Sequence, residues 1–419
     1  MERYKSYKQI ECAWIPEIPA GWEISKVGSH FKQRNEKSQE FFALSVSKAG
    51  VVPQMENVAL SSAEGDTRKL VRKGDFVVNS RSDRKGSCGV SDYDGTVSLI
   101  NIVLEPKGVE QKYIHYLFRS NAWIEEFYRN GRGIVADLWT TNYQMMKGML
   151  FPLPPKEEQL KIAAYLDAKS ATIDSFISAK QREVELLEEQ KQVIIARAVT
   201  RGLREDVKMK PTGISWLPEI PEHWDEKRIA THFHNRVESN SDFEFKRAFK
   251  FNYGSIVPKD ETGDPEEYRD VYVKYSKVKA NDIMINGLNL NYDFVSQRVA
   301  IVPEDGIITS AYVVMRPFET TYAPYFCYLF KAMDSMKLFH GMGTGIRLTL
   351  SFEELKKQFI CIPPEDEQKE IVEYIEKESF KLNSLISDIS REITLLQEYK
   401  QRLISDVVTG QINVQNETV

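Results

Sequence analysis

WIPEIPAGW, residues Trp14–Trp22, returns roughly 200 residues later as WLPEIPEHW, residues Trp216–Trp224. Other segments recur in the same order: GDFVVN (Gly74–Asn79) as NDIMIN (Asn281–Asn286), YIHYLFR as YFCYLFK, and LPPKEEQ as IPPEDEQ. The spacing between copies drifts by only about ten residues, as loop insertions in one copy would cause. The sequence therefore predicts a tandem duplication.

A long helix with a heptad repeat of apolar residues ends each copy. Both helices are followed by glycine, in VTRG (Val199–Gly202) and VTGQ (Val408–Gln411), which is typical of a helix stop. At about 42 residues each, the helices would be roughly 60 Å long and would need a partner along their apolar stripe. The predicted seam consists of Ile173, Ile177, Val184, Leu187 and Ile194 in the first helix and Leu382, Ile386, Ile393, Leu396 and Leu403 in the second.

The short connection between the first helix and the second tryptophan motif fixes the direction of the second helix. About 15 residues span at most about 50 Å, so the second copy must begin near the far end of the first helix. The second helix can then pack along the first only by running back. We predict an α+β fold class: two similar α+β heads separated by two long helices packed as an antiparallel coiled coil, with pseudo-twofold symmetry. The alternative is that each helix is an ordinary amphipathic helix on its own head.

Local patterns predict the elements of each head. In the first head, we expect strands at 76–78, 97–104 and 149–153 and one helix over 112–129. In the second, we expect strands at 283–285, 299–302 and 307–315 and helices at 325–339 and 352–357. The predicted domains are 1–153 (first head), 154–203 (first long helix), 204–215 (linker), 216–362 (second head), 363–412 (second long helix) and 413–419 (tail).

Composition excludes several protein classes. The 419 residues carry a net charge of −5, which argues against a uniformly basic nucleic-acid binder. Four widely separated cysteines predict neither disulfides nor a CxxC metal site. The sequence contains no apolar stretch that could span a membrane, and MERYKSYKQI lacks the apolar core of a signal peptide. We therefore expect a cytoplasmic protein without membrane contact.

Enzyme signatures are missing from the sequence. Phosphate-binding GxxxxGK[ST], HExxH, GxSxG and [DNS]PP[YFW] segments do not occur. The GMGTG run, residues 341–345, follows a predicted helix and is interpreted as a turn. His232 and His234 form an HxH pair without a third ligand nearby, so we expect no metal site there. The sequence predicts no catalytic residues.

Basic and amide side chains concentrate in loops that differ between the copies. After the matched segments ending at Asn79 and Asn286, one copy continues SRSDRKGS and the other GLNLNYDF. Arginine and lysine can contact phosphates or guanine, and asparagine can read adenine. The candidate DNA-binding residues are Ser80, Arg81, Arg84, Lys85, Arg132, Asn286, Asn289, Asn291, Tyr292 and Arg347. Lys274, Lys277, Lys279 and Arg298 are further basic residues of the second head; the alternative for every such residue is a solvated loop.

These motifs resemble the specificity subunit of type I restriction-modification systems over essentially the whole chain. The resemblance rests on the W[IL]PEIPxxW segments, the PPxxEQ segments at 154–159 and 363–368, VTRG and VTGQI, and GTGIRLTLS at 343–351. The corresponding GRGIVADLWTT segment of the first head has Val135 where the second has Arg347.

The resemblance implies two target recognition domains, each reading one half of a split, asymmetric DNA site. It implies that the helices set the unread spacer and bind two methyltransferase subunits, with restriction and translocase subunits joining the complex. S-adenosylmethionine, ATP and magnesium would be bound by those partners and not by this chain. A coiled-coil adaptor that bridges two proteins without reading DNA, and an enzyme with an unrecognised active site, stay open as alternatives.

Overall fold

The computed structural model describes residues 2–54, 68–133, 139–236, 238–260, 263–345 and 348–417. They form two compact units: Met1–Gln181 with Ser390–Val419, and Arg182–Ile389. Each unit combines one α+β head with parts of two long helices. The first long helix is Lys156–Arg201, of 46 residues, and the second is Glu365–Val408, of 44 residues. The boundaries of the six domains predicted from the sequence stay predictions.

The first head is built on a four-stranded antiparallel sheet. Its strands lie in the order Cys88–Val90, Phe76–Asn79, Asn101–Pro106 and Phe31–Gln33. Helices Gln111–Leu117 and Asn121–Arg129 share a core cluster with this sheet. The remaining described strands and helices of the first head are Tyr7–Gln9, Glu17–Pro19, Glu23–Lys26, Val27–His30, Lys37–Ser38, Leu44–Ser47, Gly50–Pro53, Arg68–Val71, Ser82–Arg84, Gly95–Val97, Tyr143–Met146 and Leu150–Leu153.

The second head repeats this sheet with the same strand order. Val299–Ile301, Ile283–Ile285, Val313–Pro317 and Phe233–Asn235 follow one another in the positions of the four strands above. Helix Ala323–Ser335 shares a core cluster with them. The remaining described elements of the second unit's head are Met209–Pro211, Glu219–Pro221, Asp225–Arg228, Ile229–Thr231, Phe249–Asn252, Ser255–Pro258, Pro265–Tyr268, Arg269–Tyr272, Ser276–Val278, Gly306–Ile308, Leu338–Gly341, Phe352–Leu355 and Phe359–Ile362.

Four elements differ from the predicted ones. The helix expected over 112–129 is two helices, because Ser120 caps the second by accepting a hydrogen bond from the Trp123 amide. The strands expected over 97–104 and 307–315 are each split in two, at 98–100 and 309–312. The helix expected over 325–339 ends at Ser335, and Lys337 adopts a left-handed φ of 60° before a short 3₁₀ turn.

Within each unit, the two long helices pack side by side and antiparallel. In the first unit, Lys400 pairs with Asp174 at 2.7 Å and Lys180 with Glu392 at 3.0 Å, so residue numbers rise along one helix as they fall along the other. In the second unit, Lys191 donates to the Asn383 side chain at 3.0 Å. The predicted antiparallel pairing is confirmed.

The predicted seam residues lie along these helix faces, with burial that varies by position. Ile173, Ile177 and Leu403 are buried, whereas Val184, Leu187, Ile194, Leu382, Ile386, Ile393 and Leu396 are half-buried. Near the end of the first long helix, Ile195 is more buried than Ile194 because the helix turns a different face toward the second head, whose core includes Ile195 and Val199. The heptad phase therefore shifts where a helix meets a head.

The repeated motifs meet where each long helix ends. Trp22 and Trp224 are buried, and each lies against the glycine that terminates a long helix, Gly410 and Gly202 respectively. A Cβ at Gly410 would lie 3.2 Å from Trp22, and one at Gly202 would lie 3.3 Å from Trp224. Both glycines have a φ near 75°, a conformation that favours glycine. Close approach and backbone conformation together explain why glycine follows both helices.

The PPxxEQ segments fix the other end of each helix. Gln159 donates to the Pro154 carbonyl at 2.8 Å, and Gln368 donates to the Pro363 carbonyl at 2.9 Å. Both glutamines are buried, so each bond stabilises the turn that starts a long helix.

Candidate nucleic-acid interface

In the first head, two loops far apart in sequence meet beside the four-stranded sheet. The Thr141 amide donates to the Ser80 carbonyl at 2.9 Å, and Arg81 and Arg132 both form β-bridges with Thr140. Ser80 itself is buried, so it contributes backbone structure to this site. The structure thus brings the SRSDRKGS loop and the GRG loop, including five predicted contact residues, to one place.

The basic side chains of this loop differ in how far they are neutralised. Arg81 pairs with Asp83 at 2.9 Å, and Lys85 pairs with Glu125 at 2.7 Å. Arg84 is more exposed and lies 4.0 Å from Asp83. Exposed pairs of this kind are weak and readily exchanged for phosphate contacts.

In the second head, the equivalent loops meet in the same way. The Leu350 amide donates to the Gly287 carbonyl at 2.9 Å, matching the Thr141–Ser80 bond of the first head. The Leu290 amide also donates to the Leu348 carbonyl at 3.2 Å. A Cβ at Gly287 would come within 2.4 Å of the Leu350 carbonyl oxygen, so only glycine permits this approach. The pairing of the two loops is therefore a property of the duplicated scaffold.

The side chains presented by the second head are amides and aromatics. Asn289 is exposed and has a φ of 52°, and Tyr292 is 77% exposed. The Asn286 side chain accepts from the Leu288 amide at 3.2 Å, and Asn291 is half-buried. Arg347, the remaining predicted contact residue, lies outside the described residues. The DNA-contact roles of all ten residues stay predictions.

Arg298 organises this loop from inside. Its guanidinium is buried and donates to the carbonyls of Asn286 at 3.0 Å, Leu288 at 2.8 Å and Asp293 at 2.7 Å. The amide of Arg298 donates to Asp334 at 2.6 Å. As a buried residue, Arg298 cannot serve as the phosphate contact considered from sequence. The sequence showed that this residue is basic. It did not show that the side chain is buried and holds the loop by hydrogen bonds, because burial depends on packing between distant segments.

Lys277 also departs from the expected role. Only 5% of its side chain is exposed, and its ammonium pairs with Asp242 at 2.7 Å and Glu244 at 2.5 Å. These side-chain hydrogen bonds raise the pKa of Lys277. Lys277 is therefore the cation of a structural ion-pair cluster in the second head.

Hydrogen bonds set the ionisation of the second-head loop. The backbone amide and hydroxyl of Ser296 bond the Asp293 carboxylate and lower its pKa to about 2. Asp293 is therefore charged at neutral pH, and Arg298 lies 3.5 Å away. Phe294 stacks on His340 with ring centroids 4.6 Å apart, which packs the loop against the turn that precedes GTGIRLTLS.

The HxH pair is part of the second head's packing. His232 lies against the Phe326 ring and His234 against the Phe318 ring. Within the described residues, no group of three or more His, Cys, Asp or Glu side chains is arranged to hold a metal ion. None of the helices in the described part of the chain is long and apolar enough to cross a membrane.

Curated proteins match the chain in sequence. The chain is 26% identical to the type I restriction enzyme EcoBI specificity subunit of Escherichia coli, over 64% of this chain and 60% of that protein. It is 19% identical to the putative type I restriction enzyme MjaX specificity subunit and 22% identical to the MjaVIII specificity subunit, both of Methanocaldococcus jannaschii. Those two matches cover 97% and 98% of the relatives.

The chain is similar to type I restriction enzyme specificity subunits. No family model matches the sequence. A solved chain from a structure of a type I restriction-modification system matches this chain in fold, with a TM-score of 0.67 at 15% identity, covering 94% of this chain and 99% of that one. The paired α+β heads and long helices are thus a fold that this chain shares with that structure.

Proposed function

We propose that the chain is the DNA sequence-specificity subunit of a type I restriction-modification complex. Each head would read one half of a bipartite DNA site, and the helices would set the unread spacer between the halves. The observation that supports this most strongly is the pair of equivalent loop junctions, Ser80–Thr141 and Gly287–Leu350, on matching sheets. A retained scaffold with exchanged loop side chains is suited to two recognition modules with different targets.

The two loops differ in the chemistry available for reading bases. The first presents arginine and lysine, which favour guanine and phosphates, and the second presents asparagine and tyrosine. Different donors and acceptors select different bases, so the recognised halves should differ and the whole site should be asymmetric.

Exposed apolar residues on the helices support docking of two methyltransferase subunits. Phe176 and Leu395 in the first unit are 59% and 53% exposed, and their counterparts Leu385 and Leu186 in the second are 44% and 49% exposed. Matched apolar positions on both units suit two copies of one partner.

The chemistry of the complex is assigned to those partners. This chain would be non-catalytic, while the methyltransferase subunits would bind S-adenosylmethionine and the restriction subunits would bind ATP and magnesium. Incubating the isolated chain with DNA, S-adenosylmethionine and magnesium should give neither methylation nor nicking. Either product would instead support the alternative of an enzyme with an unrecognised active site.

An exchange of heads tests the reading of split sites. Replacing residues 25–150 with the equivalent head of a relative should change one half of the recognised sequence and leave the other half and the spacer unchanged. Methylation mapping of the reconstituted complex gives both halves at once. A footprint without skipped bases, or a change in both halves, would contradict the proposal.

The alternative is a coiled-coil adaptor that does not read DNA, which the net charge of −5 motivated and the curated relatives do not favour. Salt dependence separates the two functions. A DNA-reading complex releases counterions from phosphates, so its affinity for the duplex should fall steeply as salt rises. Duplex affinity that is absent or insensitive to salt would favour the adaptor.

A further inference from the structure

A groove in the first unit lies between the head and the pair of long helices. It is lined on the head side by Lys48, Lys85, Tyr116 and Arg119, and on the helix side by Ser170, Asp174 and Lys400. All of these residues belong to one compact unit. The lining is mostly polar side chains that can donate hydrogen bonds. Its carboxylates, Glu125 and Asp174, pair with Lys85 and Lys400.

The second unit has the corresponding groove. Its lining includes Tyr328, Lys331, Ser379, Asn383 and Lys191. By the alignment of the duplicated segments, these occupy the positions of Tyr116, Arg119, Ser170, Asp174 and Lys400 respectively. The groove therefore keeps a tyrosine, a serine and two basic residues in both copies, while the neighbouring loops differ. One of the two basic residues pairs with a carboxylate in each copy, Lys400 with Asp174 at 2.7 Å and Lys191 with Glu188 at 2.6 Å, and Glu189 and Asp334 also line the second groove.

A basic group without a carboxylate partner lies in each groove. Arg119 contacts the His115 ring at 2.8 Å and donates to the Lys48 carbonyl at 2.6 Å. Lys331 lies 5.8 Å from the centre of the Tyr328 ring. Among the described residues, neither Arg119 nor Lys331 forms a salt bridge. Their positive charges are available to an external anion.

Each groove is continuous with the candidate recognition loop of its own head. In the first unit, Lys85 and Gly86 are both groove residues and the end of the SRSDRKGS loop. In the second, Val295, Ser296 and Gln297 line the groove and directly follow the loop that carries Tyr292. An elongated ligand that contacts the loop can therefore extend into the groove without leaving the unit.

We infer that each groove binds the sugar-phosphate backbone of the duplex next to the half-site read by its head. This inference rests on the proposed DNA-reading function and adds a contact that is independent of base sequence. Lysine, arginine, serine and tyrosine side chains are common phosphate ligands, and such contacts position a protein without specifying bases. The repeated lining suits a ligand whose backbone chemistry is the same at both half-sites.

Charge-neutralising substitutions test this inference in the assembled complex. Arg119→Gln and Lys331→Gln should each reduce the slope of log affinity against log salt by about 1 and weaken binding several-fold. The ratio of affinities for the cognate site and for single-base variants should stay unchanged. Arg119→Lys should restore the slope, because it restores the charge. Lys107→Gln, at an exposed lysine outside the groove, is the matched control.

Modified DNA provides a second measurement that does not depend on the variants folding. Duplexes with neutral methylphosphonates beside one half-site should bind the wild-type complex more weakly and should remove the difference between wild type and the variant of that unit. Unchanged salt slopes and no methylphosphonate effect would overturn the inference. Loss of methyltransferase from purified Arg119→Gln complexes would also overturn it and would identify the groove as a protein-docking site. If the wild-type complex bound no split site, the proposed function itself would fail.

Discussion

Single buried polar residues determine whether the recognition loops hold their shape. Arg298 is 1% exposed and donates to three carbonyls of the 286–293 loop. Without it, the Asn286 and Leu288 carbonyls would lose this donor, while the Asp293 carbonyl would keep its contact with His340. Lost hydrogen bonds at half-buried acceptors cost stability. The loop that presents Asn289 and Tyr292 thus depends on a side chain that has no access to DNA.

We expect Arg298→Met to destabilise the second unit by about 3–5 kcal/mol and to relax discrimination at one half-site only. Chemical denaturation measures the first effect, and affinities for single-base variants of each half-site measure the second. Lys274→Met, at an exposed lysine of the same head, should change neither. Equal loss of discrimination at both half-sites would contradict the assigned role.

Ionisation of His115 should make the first unit sensitive to acid. Burial, followed by the charge of Arg119, lowers the pKa of His115 to about 4. The unfolded imidazole takes up a proton below about pH 6.5, whereas the folded one stays neutral. The stabilisation is therefore complete above pH 6.5 and is lost as the pH falls toward 4.

Between pH 7.5 and 5.0, the free energy of unfolding should fall by about 2 kcal/mol through this residue. His115→Gln, which cannot titrate, should reduce that fall, as measured by urea unfolding followed by tryptophan fluorescence. An identical pH dependence in the variant would show that other groups are responsible. At the position of His115, the second unit has Cys327, which does not gain a proton in this range.

At the scale of elements, the sequence predicted the helices and strands that are marked by a duplicated motif or by a periodic pattern of apolar residues. The duplicated tryptophan and PPxxEQ motifs located both heads, the heptads located both long helices, and the short connection between the copies predicted their antiparallel pairing. Breaks that depend on one residue were missed, such as the Ser120 cap that divides a helix. The ion-pair partners of side chains at the sheet were not predictable either. Asp75 pairs with Arg34 in the first head, but its counterpart Asp282 pairs with Arg316 from another strand.

The candidate site was only partly predictable for the same physical reason. The sequence identified the loops, because they diverge after matched strands. It did not show that Arg298 and Lys277 are buried, since burial depends on packing between distant segments. Nor did it show that Ser80 acts through its backbone carbonyl.

The exposed apolar positions of the helices give a prediction for partner binding. Phe176→Asp with Leu395→Asp should remove methyltransferase docking from the first unit, because charges replace apolar contacts. Mass measurement of the purified complex should then show one methyltransferase subunit in place of two. Lys161→Asp, an exposed charge change on the same helix, is the control. Retention of two subunits would contradict docking at this surface.

At the scale of the whole molecule, helix length should determine the unread spacer. One heptad inserted near Leu187 and another near Leu396 would lengthen each long helix by about 10 Å, comparable to about three base pairs of duplex. We expect both half-sites to persist while the spacer grows, and methylation mapping reads the new site directly. Insertion of four Gly-Ser residues in each helix, which breaks the helices, should instead abolish specific methylation. An unchanged spacer would contradict the role of the helices.

The glycine that follows the second long helix lies against Pro19 and Trp22, so the first unit is assembled from residues that leave the ribosome far apart in time. Its core includes Leu403, Val407 and Val414 beside residues 15–177. A nascent chain can therefore complete the second unit before the first. A frameshift after residue 389 would leave the second unit intact. It would disrupt the first unit, which needs residues 390–419.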